Sequence, residues 1–269
     1  GSPLSYSLGR VRLGGPFVAE YPPGVVLRTS GRIGNAYRVR LNANEIGYIT
    51  DRYVEVLPAE AVRPTYHISS LSASLADSGD TDLVRIPYPE PVPYAVVPDP
   101  DHRQILITLY GVKTSSTWVQ HRSGLRFVDK LTWRQTTPET YQIAVHLKTD
   151  QIWGYDLKRE GRALVLRLPH PPTVGNEDGS LPLAGLKIAI EAGHGGSSTG
   201  AVGLSGLLEK DVNLDVALKL GQMCRANGIE VFQLRVADRG IPYMARRDSA
   251  EASGAHLLVS IHANAGGTS

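Results

Sequence analysis

Two histidines and one glutamate in the last third of the chain have the residue types and the spacing of a metal site. His194 follows the apolar segment 188–190 and lies between glycines, and His262 follows a second apolar segment. Glu209 comes at the end of a loop rich in glycine, residues 195–206. Two imidazoles and one carboxylate that leave a fourth position open to water are a set that hydrolases use to hold zinc. On spacing alone, a metal site and three separate structural side chains are equally good interpretations.

The elements predicted around these residues would bring them to one edge of a sheet. The order strand, helix, strand, helix, strand predicts a parallel sheet with right-handed crossovers. Because ligands of open α/β sheets collect beyond the carboxyl ends of the strands, His194 and His262 should meet there. The glycine-rich loop can fold back over this edge and bring Glu209 beside both imidazoles. The strands are predicted at 187–191, 229–234 and 256–261, and the helices at 211–226 and 242–253.

The glycines, the charge and the single cysteine exclude several other functions. No Gly-Lys-Ser/Thr follows the glycines, and Gly193-His-Gly195 lacks the third glycine of a dinucleotide-binding loop. A formal charge of +2 without a basic cluster argues against nucleic acid as a partner. No apolar run is long enough to span a membrane. Cys224 alone excludes a disulfide framework and a thiolate zinc cluster, and it is predicted to pack as a small buried residue.

The 269 residues are predicted to form a multidomain, monomeric protein in three blocks. Residues 1–58 contain short alternating strands, with Tyr37, Val39 and Leu41 on one face, and predict a small β-barrel. Residues 85–168 contain longer alternating strands and predict a β-sandwich. The last block is the α/β domain with a parallel or mixed sheet. The predicted boundaries are a barrel at 1–58, a Ser/Ala/Asp-rich linker at 59–84, a sandwich at 85–168, a Pro/Gly-rich linker at 169–184 and the α/β domain at 185–269.

Residues 187–265 resemble the amidase-3 family of N-acetylmuramoyl-L-alanine amidases. The matching stretches are Ile188-Ala-Ile-Glu-Ala-Gly-His-Gly-Gly, Gly206-Leu-Leu-Glu-Lys-Asp-Val-Asn-Leu, Leu234-Arg235 with Asp238, Arg246, and Ser260-Ile-His-Ala-Asn-Ala. The resemblance implies that His194, Glu209 and His262 bind Zn²⁺. It also implies that a zinc-activated water hydrolyses the amide between the lactyl group of muramic acid and L-alanine in peptidoglycan.

The sequence departs from the family pattern beside the implied ligands. Glu191-Ala192 stands where the family usually has Asp-Pro, His256 stands where Asp is common, and Ala250-Glu251 stands where Ala-Asn is usual. These departures put the surroundings of the ligands in doubt rather than the ligands themselves. The general acid/base glutamate of the family matches no residue here and is expected beyond Ser269. The catalytic domain is therefore expected to be truncated at its C-terminal part, and this chain alone is expected to be at best a weak amidase.

The first two blocks carry weaker resemblances. Tyr37, Gly47-Tyr48-Ile49 and Tyr53-Val54 resemble the bacterial SH3-like domain, and residues 85–168 look by position like an AMIN-type wall-targeting domain. These resemblances imply that the two β-rich segments bind or position the protein on peptidoglycan. With the amidase resemblance, they lead to the expectation of an enzyme that acts outside the cytoplasm in wall remodelling or cell separation, with an activator protein as a further candidate partner. Gly1-Ser2 looks like a cloning remnant, so a signal segment is expected to have been removed.

Two other functions stay open at this point. One is a wall-binding or regulatory protein that keeps the zinc but not the turnover, and the other is a zinc peptidase that acts on stem peptides. The remaining histidines show no ligand-like spacing, and the tryptophans are expected to serve in packing. These residues are His67, His102, His121, His146, His170, Trp118, Trp133 and Trp153.

Overall fold

The chain divides into two compact units. The structure, a computed structural model, describes residues 2–7 and 17–263. One unit is Gly1–His170 and the other is Pro171–Ser269, so the division falls within the linker predicted at 169–184. Asn264 and Ala265, which belong to the last matching stretch, lie outside the described residues.

The described part of the first unit is built from strands, which are joined by turns, irregular segments and the short 3₁₀ helices Asp51–Tyr53 and Pro100–His102. A five-stranded sheet has the order β2-β1-β5-β4-β3, a second has the order β10-β6-β7-β14-β13, and a four-stranded sheet has the order β11-β12-β9-β8. The strands are β1 Ser2–Ser5, β2 Phe17–Tyr21, β3 Arg28–Ile33, β4 Ala36–Arg40, β5 Ile46–Thr50, β6 Tyr66–Leu75, β7 Thr81–Pro87, β8 Tyr94–Asp99, β9 Gln104–Tyr110, β10 Val112–His121, β11 Val128–Thr137, β12 Thr140–Leu147, β13 Asp156–Glu160 and β14 Ala163–Pro169.

The first sheet contains the alternating strand predicted from the sequence. Val39 and Leu41 are buried and Tyr37 is half-buried, as their period of two indicates. Gly47 lies so close to Leu4 that a Cβ there would be 2.9 Å from the Leu4 Cδ2 atom, which explains glycine in the Gly-Tyr-Ile stretch. The SH3-like assignment of this segment stays a prediction.

The other two sheets of this unit bury their side chains in one hydrophobic cluster. Ile107 of β9, Ile143 of β12 and Leu166 of β14 are all fully buried there. Strands β6 and β10 run parallel and the other paired strands run antiparallel, so the unit contains a mixed sheet. The AMIN-like assignment of residues 85–168 stays a prediction.

The linker predicted at 59–84 is wrong for most of its length. Residues 66–75 form β6 and residues 81–87 form β7, so irregular or turn backbone within this stretch is limited to residues 59–65 and 76–80. Ile68, Leu71 and Ala73 of β6 are fully buried. Because the serines between them are small and polar, the segment resembles a loop in composition although its alternation is that of a strand.

Two tyrosines join the first sheet to the rest of the first unit. The Tyr21 hydroxyl donates to the Tyr94 carbonyl at 2.9 Å, and the Tyr94 hydroxyl donates to the Glu20 carbonyl at 2.6 Å. The rings meet edge to face with centroids 5.3 Å apart. Tyr21 is 1% exposed, and burial raises the pKa of its hydroxyl. The segments predicted as separate barrel and sandwich therefore share one core.

The second unit has the predicted order of strands and helices. Its elements are β15 Lys187–Ala192, α1 Glu209–Ala226, β16 Glu230–Gln233, α2 Tyr243–Ala252 and β17 Leu257–Ile261. The sheet order is β16-β15-β17 and both pairings are parallel, so the prediction is confirmed. Part of the predicted linker belongs to this unit, because Gly175 N–H donates to the Ala184 carbonyl and Leu183 N–H donates to the Asn227 carbonyl.

Helix α1 buries small and polar residues most deeply, while its larger apolar residues Leu214 and Leu220 are only partly buried against the core. The buried positions are Glu209, Asn213, Ala217 and Gly221, which repeat every four residues along one face. A Cβ at Gly221 would lie 2.2 Å from the Gln233 Nε2 atom, so the helix approaches β16 closely there. Among the described residues, the helices are too short or too polar to cross a membrane.

Asp82 is a fully buried carboxylate that joins three segments of the first unit. It accepts hydrogen bonds from the backbone N–H groups of Phe127 and Val128, each at 2.8 Å, and it lies 2.9 Å from the His170 Nε2 atom. Burial alone would raise the pKa of Asp82, but the hydrogen bonds outweigh it and lower the pKa.

We expect Asp82→Ala to lower the free energy of unfolding by about 3 kcal/mol, because it leaves buried donors without an acceptor. Urea unfolding at pH 7 measures the loss. Asp129→Ala, which removes an exposed carboxylate from β11, is the matched control and should change it by less than about 0.5 kcal/mol. Equal effects of the two substitutions would contradict this role of Asp82.

We also expect the boundary between the two units to be the first site of limited proteolysis. Residues 171–180 have irregular or turn backbone and are mostly exposed. Brief subtilisin treatment should give fragments that end within this stretch, identified by mass spectrometry. First cuts inside residues 104–168 would count against this map of the domains.

Candidate metal centre

The structure brings together the three residues singled out by the sequence. His194 follows β15, Glu209 is the first residue of α1, and His262 follows β17. One potential ligand atom from each lies within 4.8 Å of the other two. The Glu209 Oε1 atom is 3.3 Å from the His194 Nε2 atom and 3.2 Å from the His262 Nδ1 atom. The glycine-rich loop therefore folds back over the sheet edge as predicted.

These separations fit a tetrahedral metal ion. Zinc ligands at their usual bond lengths lie about 3.3–3.6 Å from one another. The distance from Glu209 to His194, 3.3 Å, is at the lower end of this range, and the distance to His262, 3.2 Å, is just below it. The imidazole rings meet edge on with centroids 4.9 Å apart. The side chains of His194 and His262 are 27% and 29% exposed, which leaves solvent access to the cluster. The arrangement can hold a divalent ion with a position open to water.

The Glu209 carboxylate is buried and fixed by donors from the surrounding backbone. Ala201 N–H donates to Oε2 at 2.8 Å, Ala263 N–H donates to Oε1 at 2.9 Å, and the Asn213 amide lies 3.4 Å from Oε1. Burial alone would raise the pKa of Glu209, but these hydrogen bonds and the contact with His262 lower it to about 2. Glu209 is therefore anionic at neutral pH, the state in which a carboxylate binds a metal.

Two glycines are required because side chains of the cluster lie against them. A Cβ at Gly193 would lie 2.2 Å from the His262 Cε1 atom. Gly200 has a φ of +70°, and a Cβ there would lie 2.6 Å from both the Glu209 Oε2 atom and the His194 Cδ2 atom. His194 itself has a φ of 64°, a left-handed conformation that is costly for a residue with a side chain.

A buried arginine organises the backbone on which these ligands are carried. Arg235 is 2% exposed and donates to the carbonyls of Ala192 at 2.9 Å, Gly193 at 3.1 Å and Lys210 at 2.8 Å. Burial lowers the pKa of its guanidinium. It thus links the residues before His194 to the residue after Glu209. The sequence placed Arg235 in a matching stretch but assigned it no role, because its acceptors are backbone carbonyls.

An ion pair between Lys210 and Asp238 holds the backbone of the glycine-rich loop at Gly196. The Lys210 Nζ atom lies 2.6 Å from the Asp238 Oδ2 atom and donates to the Gly196 carbonyl at 3.0 Å. Asp238 accepts from the Gly196 N–H at 2.7 Å, and these hydrogen bonds lower the pKa of the carboxylate. Both backbone groups of Gly196 are therefore bound by charged side chains.

The three departures from the family pattern have different surroundings. Glu191 is buried and contacts the Arg246 guanidinium and the Ser260 hydroxyl, so its carboxylate is already engaged. The His256 Nδ1 atom accepts from Lys187 N–H at 3.0 Å, near the amino ends of the strands. Glu251 lies on α2 with its side chain 71% exposed.

The other histidines do not join a metal cluster among the described residues. His170 is paired with Asp82, and the His146 Nε2 atom lies 2.8 Å from the Thr132 hydroxyl. Trp133 packs against the hydrophobic cluster of the first unit, as expected. Trp118 is 65% exposed on β10, at the edge of its sheet, so it does not pack in the core.

Comparison with known proteins finds similarity that includes residues 188–269 of the second unit. The family model described as N-acetylmuramoyl-L-alanine amidase matches residues 188–269. An uncharacterized protein of Bacillus subtilis, YqiI, is 40% identical over 85 residues, which are 32% of this chain and 41% of that protein. The amidase LytC of the same organism is 40% identical over 88 residues, which are 33% of this chain and 18% of LytC.

Among solved structures, the amidase AmiC2 of Nostoc punctiforme is 40% identical, with a TM-score of 0.29 over 29% of this chain and 44% of that one. The chain thus spans less than half the length of each of these relatives. Residues 188–269, which carry the His194, Glu209 and His262 cluster, are similar in sequence to N-acetylmuramoyl-L-alanine amidases.

Proposed function

We propose that this chain belongs to a zinc-dependent peptidoglycan amidase that acts outside the cytoplasm. Its reaction is hydrolysis of the amide between N-acetylmuramic acid and L-alanine. The observation that carries the proposal is the convergence of His194, Glu209 and His262 within 4.8 Å, in a segment similar to proteins named as these amidases. A zinc ion bound there would lower the pKa of a water molecule and polarise the scissile carbonyl.

Contacts within the protein hold the three proposed metal ligands in position. Backbone donors keep Glu209 anionic and fix the orientation of its two oxygens. The imidazoles meet the carboxylate at ligand-like distances and stay partly open to solvent. Glu191 is engaged by Arg246 and Ser260, and Glu251 is exposed on α2, so neither is proposed as the donor of a proton to the leaving nitrogen.

We further propose that the first unit holds the enzyme on the wall through its SH3-like and AMIN-like segments. A groove of about 800 Å³ in this unit supports binding of a ligand. Leu27, Tyr37 and Tyr53 are among the residues that line it, and they offer apolar and aromatic surface. This targeting role rests on the assignment of the segments and is separate from the metal chemistry.

We expect protein purified with zinc to retain about one ion per chain, held by the three residues. The variant His194→Ala with His262→Ala should lose this ion, because only the carboxylate of the set would remain. Metal analysis after dialysis measures the content. His102→Ala, which removes an imidazole with 74% exposure from the first unit, should retain the ion. Full metal content in the double variant would place the site elsewhere.

We expect the full-length protein to release peptides with a free N-terminal L-alanine from purified sacculi. A chelator should abolish the release and zinc should restore it. Glu209→Gln should lower kcat/KM by about 100-fold or more, because the site loses its charged ligand. Glu230→Gln, an exposed position on β16, is the control. Cleavage only between amino acids would instead indicate a zinc peptidase, and binding to sacculi without release would indicate a wall-binding protein.

A further inference from the structure

A buried group of charged and polar side chains lies directly behind the ligand cluster. Glu191 of β15 is 6% exposed, and its two oxygens contact the Arg246 guanidinium and the Ser260 hydroxyl. Arg246 comes from α2 and is itself mostly buried, with 18% of its side chain exposed. A buried ion pair costs desolvation free energy, so its presence at this position calls for a role beyond stability.

The register of the sheet places Glu191 and Ser260 side by side, shortly before the two histidines in the chain. Glu191 and Ser260 lie opposite each other on β15 and β17. Glu191 precedes His194 by three positions, and Ser260 precedes His262 by two. Contacts through Glu191 therefore fix the carboxyl ends of both strands relative to each other, immediately before each strand delivers its imidazole.

Arg246 extends these contacts to the backbone of His194. Its Nη2 atom donates to the His194 carbonyl at 3.2 Å, and its Nε atom donates to the Ile241 carbonyl at 2.8 Å. His194 has a φ of 64°, which its side chain disfavours, so its conformation depends on contacts that hold the peptide group in place. The guanidinium supplies one of them.

Glu191 also faces the ring of His262. The His262 Nε2 atom lies 3.8 Å from the Glu191 Oε2 atom, while the Nδ1 atom lies 3.2 Å from the Glu209 Oε1 atom. A distance of 3.8 Å is too long for a direct hydrogen bond. With a carboxylate on each side, the ring turns its Nδ1 atom toward the cluster and its Nε2 atom toward Glu191.

We propose that Glu191 and Arg246 form a positioning pair that holds His194 and His262 in the geometry that binds the metal. The inference rests on the proposed metal site but assigns new roles, since neither residue is a ligand. Arg246 acts on His194 through its carbonyl, and Glu191 acts on His262 through the ring and through Ser260. Partners of this kind, which orient ligands from behind, change metal affinity by about 10–100-fold when they are removed.

The test measures metal binding and thermal stability separately in the 269-residue chain. Zinc affinity is determined by competition with a chromophoric chelator, and ligand geometry by the visible spectrum of the Co²⁺ form. We expect Glu191→Gln and Arg246→Lys to bind zinc about 10–100-fold more weakly and to alter the Co²⁺ spectrum. Glu191→Asp should recover part of the affinity. Glu251→Gln and Arg247→Lys, both on α2, are the matched controls and should behave as the parent protein does.

The outcomes separate this inference from the proposed function. A parent protein that binds no zinc would overturn the metal site and with it the positioning pair. A parent that binds zinc, with unchanged affinity and Co²⁺ spectrum in Glu191→Gln, would overturn the positioning pair alone, even if the melting temperature of the variant were lower. If Glu191→Gln does not fold, Arg246→Lys and Ser260→Ala decide, and parental affinity in both would refute the inference.

Discussion

The candidate metal centre of the second unit is organised around the buried carboxylate of Glu209. An isolated buried carboxylate would be too costly, so the surrounding fold has to supply its partners. It does so with four groups, the N–H groups of Ala201 and Ala263 and the two imidazoles. These requirements explain why the glycine-rich loop returns to the helix start and why Gly200 carries no side chain.

The backbone that presents the ligands is held by side chains from separate elements. Arg235 follows β16, Arg246 comes from α2 and Asn213 comes from α1, and each donates to a carbonyl between Ala192 and His194. The backbone from Ala192 to His194 is therefore held by the protein's own side chains. Preorganisation of this kind lowers the free energy that is otherwise lost when a metal orders its own site.

The sequence was sufficient for the outline of the second unit and of its cluster. Strands and helices followed from periodicity, and the meeting of His194 with His262 followed from the rule that parallel strands end at one edge. The buried face of α1 was not predictable in the same way, because Asn213 and Gly221 are buried through local contacts rather than hydrophobicity. The prediction of a linker at 59–84 was wrong because the serines of β6 mask the alternation of its buried residues. The role of Arg235 was not predicted because its acceptors are backbone carbonyls, which the sequence does not distinguish from one another.

The pair of tyrosines that joins the first sheet to its neighbours limits how this protein can be divided. The Tyr21 hydroxyl donates to the Tyr94 carbonyl, and the Tyr94 hydroxyl donates to the Glu20 carbonyl. Each of the two segments therefore completes the interior of the other. A fragment ending near residue 58 would expose an apolar face and leave the Tyr21 hydroxyl without its acceptor, the Tyr94 carbonyl. The segment 1–58 is therefore not an independent folding unit that can be moved between proteins. Recombination that moved it intact between proteins would have to carry the strands up to His170 with it.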